Sequence, residues 1–253
     1  MEPRFGRLYA SAVLRPLAEQ VVGALDAKPG ETACDLMCDG AMLGVALGAA
    51  VGAHGSVVLV DTEAALLDTA RPDIARTGCG VSTLVATAGA VPLAESSCDR
   101  VGSLCTLGFW DGGSMFAAAE RLVRPSGRAA VVTWDVARPP PHEVALVDAL
   151  RDVAGINSAF LTRCLAVPDP AQVAAWETTT LQDVVRFDGI GTYWAAMVTE
   201  RPVSAELSHL SGDALSAIRA ACQRALEPCT AADGTLCIPV RVALWRLRGG
   251  VRG

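Results

Sequence analysis

Three aspartates beside turn-forming residues carry the most usable chemistry in this chain. Asp35 lies in the run Cys34-Asp35-Leu36-Met37-Cys38-Asp39-Gly40-Ala41, and Asp61 closes Val57-Val58-Leu59-Val60-Asp61. A carboxylate at the end of an apolar run can accept hydrogen bonds from hydroxyl or ammonium groups, hold a developing positive charge, or take a proton as general base. Asp39 stands just before the small-residue run 43–51, where it either serves chemistry or caps a helix. Farther along, Trp110 with Asp111, Tyr193 with Trp194, and His142 after three prolines can each meet a small ligand. The structural alternatives are a surface loop for Trp110 and Asp111, a buried aromatic pair for Tyr193 and Trp194, and a solvated linker for His142. The nine cysteines include no Cys-x-x-Cys pair and the three histidines are far apart, so spacing points to no metal. Most of the thiols are expected to be small buried apolar groups, with Cys38 and Cys105 set apart because both fall at the carboxyl ends of expected strands.

The elements that must position these groups follow from hydrophobic periodicity. Helical spacing runs over 8–25, and Ala27-Lys28-Pro29-Gly30 stops it before a strand at 32–37. Further strands are expected at 56–61, 81–86, 100–104, 128–134, 179–187 and 236–246, with helices at 43–51, 63–76, 114–123, 143–153, 170–177, 193–198 and 212–226. This alternation implies an α/β fold, a mostly parallel sheet with helices on both faces. Ligands on such sheets bind beyond the carboxyl ends of the strands, here 37–41, Asp61, Thr87 and 105–111. The chain divides into an N-terminal cap helix (1–30), a core (31–136), and a lid with a C-terminal substrate region (137–253) that completes the sheet.

Composition narrows the classes of function. At 253 residues, 51% apolar and 19% charged, the chain is long enough to bury a large core, which argues against disorder. No apolar run approaches the ~20 residues that span a bilayer, and no signal peptide is visible, so a cytoplasmic protein without a membrane partner is expected. A net charge of −6 without a basic cluster makes nucleic acid a poor partner. Lys28 is the only lysine, which removes Schiff-base chemistry elsewhere in the chain.

Several stretches together resemble the small-molecule branch of the class I S-adenosylmethionine-dependent methyltransferases. They are Ala27 to Glu31 before the first strand, Val91-Pro92-Leu93 before Cys98-Asp99-Arg100-Val101, and Arg121 to Arg128 before the fifth strand. The tail, Phe187 to Met197 and Asp233 to Val240, is similar to actinobacterial members. The resemblance implies a Rossmann-like fold and a cofactor, S-adenosylmethionine, among Asp35, Met37, Asp61, Thr87 and Cys105. Asp35 matches the acid that orients the methionine amino group, Asp61 the acid on the ribose hydroxyls, and Thr87 the adenine-edge acid, here a neutral group. The family's Asp-x-Gly-x-Gly-x-Gly turn departs at all three glycines, replaced by Met37, Asp39 and Ala41.

That departure decides the reading. Glycines there let the backbone approach the ligand, and Met37 puts a thioether where the methionine moiety belongs. Two like charges ~4 Å apart at an effective dielectric near 20 repel by ~4 kcal/mol, so Asp39 facing the ligand carboxylate weakens binding roughly a thousandfold. In the alternative, Met37 packs into the sheet, Asp39 caps the helix and the cofactor still enters. The sequence is read as a methyltransferase-like enzyme of specialised metabolism that closes a ring by displacement or elimination, with Asp39, Asp111 and Tyr193 as catalytic candidates. An active small-molecule methyltransferase and a non-catalytic partner subunit are the other two readings. The expected partner is a small biosynthetic intermediate, free or carrier-bound, with a homo- or hetero-oligomer open.

Overall fold

Seven strands form one sheet in the order β3-β2-β1-β4-β5-β7-β6 in the computed structural model, which describes residues 7–105, 112–158, 168–199 and 201–248. The strands are β1 (Thr32–Leu36), β2 (Ser56–Asp61), β3 (Gly80–Val85), β4 (Cys98–Leu104), β5 (Val123–Trp134), β6 (Trp176–Phe187) and β7 (Leu236–Leu247). β1 to β5 pair in parallel, and β7 inserts antiparallel between β5 and β6. Parallel strands need crossover helices, and here these are α2 (Met42–Val51), α3 (Ala64–Ala75) and α4 (Gly112–Leu122). α1 spans 7–25 and contains a π-helical turn at Ala10–Leu14. The remaining helices are α5 (Pro141–Ala154), α6 (Ile190–Val198), α7 (Arg201–Leu207) and α8 (Gly212–Leu226).

The first strand shows how the faces are assigned. Cys34 and Leu36 point to one side, where they pack with Val58, Val60 and the α4 residues Met115, Phe116 and Ala119. Ala33 points to the other, into a cluster built from α1, α2, α5, α6 and α8. Asp35 shares that second face, so its carboxylate is carried under the start of α2.

Three elements differ from expectation. Residues 170–175 form turns rather than a helix, because Trp176 already pairs with Leu247 at the start of β6. The Trp176 ring packs edge-on against Phe116 at 5.0 Å and its Nε1 donates to Glu120 Oε1 at 2.6 Å, contacts available only after folding. β5 starts at Val123 rather than at 128 and runs through Arg124–Gly127, with a register shift opposite Cys98 and Arg100. α7 was not foreseen in a segment without clear periodicity.

Candidate functional site

The loop after β1 keeps the backbone shape of a glycine turn without its glycines. Met37, Asp39 and Ala41 have φ of +56°, +44° and +55°. An L-residue held there costs roughly 1–2 kcal/mol, and such strain collects where a ligand or an overriding contact fixes the chain. The fixing contacts are visible. Cys38 N donates to Val60 O at 3.0 Å, Ala41 N donates to Cys38 O at 2.6 Å, and Asp39 N donates to Asp61 Oδ2 at 3.0 Å. The other Asp61 oxygen accepts from Glu63 N at 3.2 Å, so this buried carboxylate ties the ends of β1 and β2 together.

Asp35 takes the helix-capping role considered for Asp39. Its Oδ2 accepts from Gly44 N at 2.7 Å, in the first turn of α2. A Cβ at Gly44 would stand 2.7 Å from Leu59 and 3.1 Å from the same Asp35 oxygen, so the close approach requires glycine. Burial pushes the Asp35 carboxyl up to about 8, against the Gly44 hydrogen bond and with help from the nearby charges of Asp61 and Asp39. The side chain of Met37 is buried among Leu36, Val58, Val60 and Phe116 on the α4 face.

The space enclosed beneath this loop is small, while an outer opening of about 350 Å³ borders Gly40 and Met42 on the side of Arg15 and Asp73. Asp35, Met37, Cys38, Asp39, Gly40, Met42 and Leu43 line a cavity of about 10 Å³, closed from above by Ala10 and Leu14 of the π-helical turn. That holds about one water, whereas ligand pockets run to hundreds of cubic ångströms. Among the described residues, no basic group lines it.

A second polar cluster lies at the carboxyl ends of β4 and β5. His142 and Glu143 open α5, and both are wholly buried. Tyr9 of α1 donates to Glu143 Oε1 and lies 3.5 Å from His142 Nε2. The Trp134 ring meets the imidazole edge-on at 6.2 Å. Burial lifts Glu143 to about 8, opposed by the Tyr9 hydrogen bond, and depresses His142 to about 3. Trp134 Nε1, His142 Nδ1 and Glu143 Oε2 are buried with no hydrogen-bond partner among the described residues. Such atoms cost about 1–3 kcal/mol each, and each needs an explanation. At neutral pH the cluster presents a neutral imidazole and a largely protonated carboxyl, a pair able to accept or relay a proton.

The candidate residues fall into separate groups. Asp35, Asp39 and Asp61 come together at the loop, with Asp39 3% exposed. Thr87 is exposed and stands at the start of a short helical turn after β3, with no capping hydrogen bond from its side chain. Cys105, buried and at φ +54°, follows β4, and burial with the Glu143 charge raises its thiol. Tyr193 is fully buried, its hydroxyl donating to His142 O at 2.8 Å and its ring edge-on to Phe187 at 5.7 Å. Trp110 and Asp111 lie outside the described residues. His142, expected in a solvated linker, is instead inside α5 and buried, because the prolines start the helix rather than precede it. Tyr9, Trp134 and Glu143 were missed by sequence reasoning. Pro140-Pro141-His142-Glu143 reads as an ordinary helix start with an exposed acid, and nothing local announces a partner 134 residues away.

The comparisons agree with this architecture. A family model described as a methyltransferase domain matches residues 37–131. No curated protein matches the sequence. Among solved structures, a candidate type II methyltransferase from Anaeromyxobacter dehalogenans aligns at 21% identity over 98% of both chains, with a TM-score of 0.58. A candidate methyltransferase from an antibiotic biosynthesis pathway of Anabaena variabilis aligns at 12% identity over 90% of this chain and 96% of its own, with a TM-score of 0.57. The chain covers 64% of a SAM-dependent methyltransferase from Aquifex aeolicus, using 47% of its own length at 20% identity, and a TM-score of 0.42 gives that match no weight. At these identities the structural matches speak for the fold. The domain match over 37–131 and the strand order agree on one architecture, the Rossmann-like fold of the class I methyltransferases.

Proposed function

We propose that this protein is a methyltransferase-fold enzyme of specialised metabolism that rearranges a small molecule, by ring closure through displacement or elimination, without transferring a methyl group. The observation that carries the reading is the cavity of about 10 Å³ in which Asp35 and Asp39 face the space between β1 and α2, with no basic residue in the lining among the described residues. S-adenosylmethionine needs that space for its amino-acid end, carboxylate included. The enclosed cavity does not fit it: the volume is short by more than tenfold of a ligand pocket, and an acid, Asp39, stands where the ligand carboxylate would lie.

Two carboxylates around one small cavity favour positive charge instead. Asp39 is the group assigned to a developing cation or to proton removal, and Asp35 is the neighbour whose affinity for a proton is raised by burial. Across the same roof, Tyr9, His142 and Glu143 supply groups for a proton relay. Substrate entry requires displacement of the Ala10–Leu14 turn. π-helical turns are often found where function needs a deformable helix.

A second reading, an active methyltransferase, draws on the three positive φ values, since they preserve the turn that the family's glycines make. Calorimetry separates the two. No heat on adding S-adenosylmethionine to the wild type, with binding restored by Met37→Gly, Asp39→Gly and Ala41→Gly together, supports the converted pocket. Tight binding by the wild type establishes the second reading instead.

A further inference from the structure

The sheet carries a far larger opening at its other end. It measures about 610 Å³ and is lined by Arg138, Arg186 and Arg241 with Gln182, Asp183 and prolines. The three guanidinium groups come from separate stretches, the β5–α5 connection, β6 and β7. Arg241 pairs with Gln182 one step beyond the last β5–β7 pair, Trp134 with Val242. The groove therefore opens on the side of the sheet to which β5 runs. Its lining residue Pro141 directly precedes His142 and Glu143.

Charge compensation inside the groove is incomplete. Asp183 is committed elsewhere, accepting from Gln20 Nε2 at 2.6 Å and from Val184 N at 2.7 Å. Arg241 is held by Asp135 at 3.2 Å. Arg186 Nη1 meets only the Cys237 sulfur, at 3.0 Å, and the exposed Arg138 side chain has no ion pair among the described residues. With Arg241 paired to Asp135, Arg138 and Arg186 face one lining acid, Asp183, which leaves the groove net positive in a chain whose net charge is −6. Guanidinium forks match the oxygens of phosphate, and several forks around one opening suit a group with more oxygens than one carboxylate offers.

We propose that this groove binds a phosphate group carried by the substrate, with Arg138 and Arg186 as its ligands and the Asp135-anchored Arg241 as the third positive wall. The phosphate belongs to a free phosphorylated metabolite or to the prosthetic arm of a carrier, and the groove reads the same chemistry in both. This goes beyond the converted-pocket reading and stands whether or not the loop admits S-adenosylmethionine.

The test is a titration of the full chain at low salt with pyrophosphate, coenzyme A and pantetheine. Both phosphate-bearing probes are expected to bind saturably at millimolar concentration or below and to be released by added salt, while pantetheine does not bind. The Arg138→Gln, Arg186→Gln double variant, altered only at exposed positions, should weaken both by about tenfold or more. Coenzyme A binding about tenfold tighter than pyrophosphate identifies an arm lying along the groove, and equal affinities identify a free phosphorylated metabolite. Failure of both phosphate probes to bind, equal binding of pantetheine, or unchanged affinity in the double variant overturns the proposal.

Discussion

The two ends of this sheet have been treated in opposite ways. At the β1–β2 end, side chains occupy the turn, carboxylates are buried, and the cavity holds about 10 Å³. At the β5–β7 end, the opening is about 610 Å³, exposed, and positive. A fold whose ligand site ordinarily lies at the first end has kept that end's backbone and changed its contents. The comparison teaches that fold and site are separable: the strand order positions both ends, while the residues at each decide what enters.

Packing gives the sharpest way to break the contrast. Met37→Ala removes a buried side chain from the α4 face and leaves the strained backbone in place, so it should destabilise by about 2–5 kcal/mol in chemical denaturation. Arg186→Gln at the open end should change stability by no more than about 0.5 kcal/mol. Equal effects would mean that the closed end is no better packed than the open one.

Tyr9→Phe sharpens the account of the roof over the closed end. It removes the donor to Glu143 Oε1, in a cluster that already holds unpartnered buried atoms, and should cost about 1–3 kcal/mol. It should also raise the Glu143 carboxyl further, since that hydrogen bond lowers it. Carbon-detected titration of the carboxyl reports this, and an unmoved midpoint contradicts the contact.

A further effect is in the pH dependence of stability. Asp35 and Glu143 are raised to about 8, so above the ordinary carboxyl range the unfolded chain has released protons that the folded chain retains. Stability from these two groups therefore falls as pH rises towards 8. His142 is lowered to about 3 and works in the opposite sense, its contribution being lost as pH falls from 6.5 towards 3. Between pH 6.5 and 8 the two carboxyls outweigh the opposing group, the Cys98 thiol lowered to about 7, and melting temperature should decline there. Asp35→Asn keeps an acceptor for Gly44 N and should remove about half or more of that decline. A decline unchanged in the variant would show that Asp35 is not protonated in the fold.

Much of this was legible in the sequence. The strand–helix alternation, the aspartates closing β1 and β2, and the three replaced glycines all follow from local pattern, and the sheet bears out the fold they imply. What local pattern does not carry is the direction of a side chain. Met37 borders the cavity, yet its bulk lies among α4 residues, and Asp35 rather than Asp39 holds the start of α2. The Tyr9–His142–Glu143 cluster joins α1 to α5 across 134 positions, so its burial belongs to the tertiary fold. The arginine groove was invisible for the same reason, because Arg138, Arg186 and Arg241 are brought together only when β7 inserts beside β6.

The central claim is that the loop at 37–41, with its enclosed cavity of about 10 Å³ and the buried Asp39, excludes S-adenosylmethionine. Isothermal titration of the wild type and the triple-glycine variant with S-adenosylmethionine tests it directly. The account predicts no measurable binding by the wild type and a gain of roughly a thousandfold in the variant once the Asp39 charge is gone. Equal, tight binding by both proteins would contradict it.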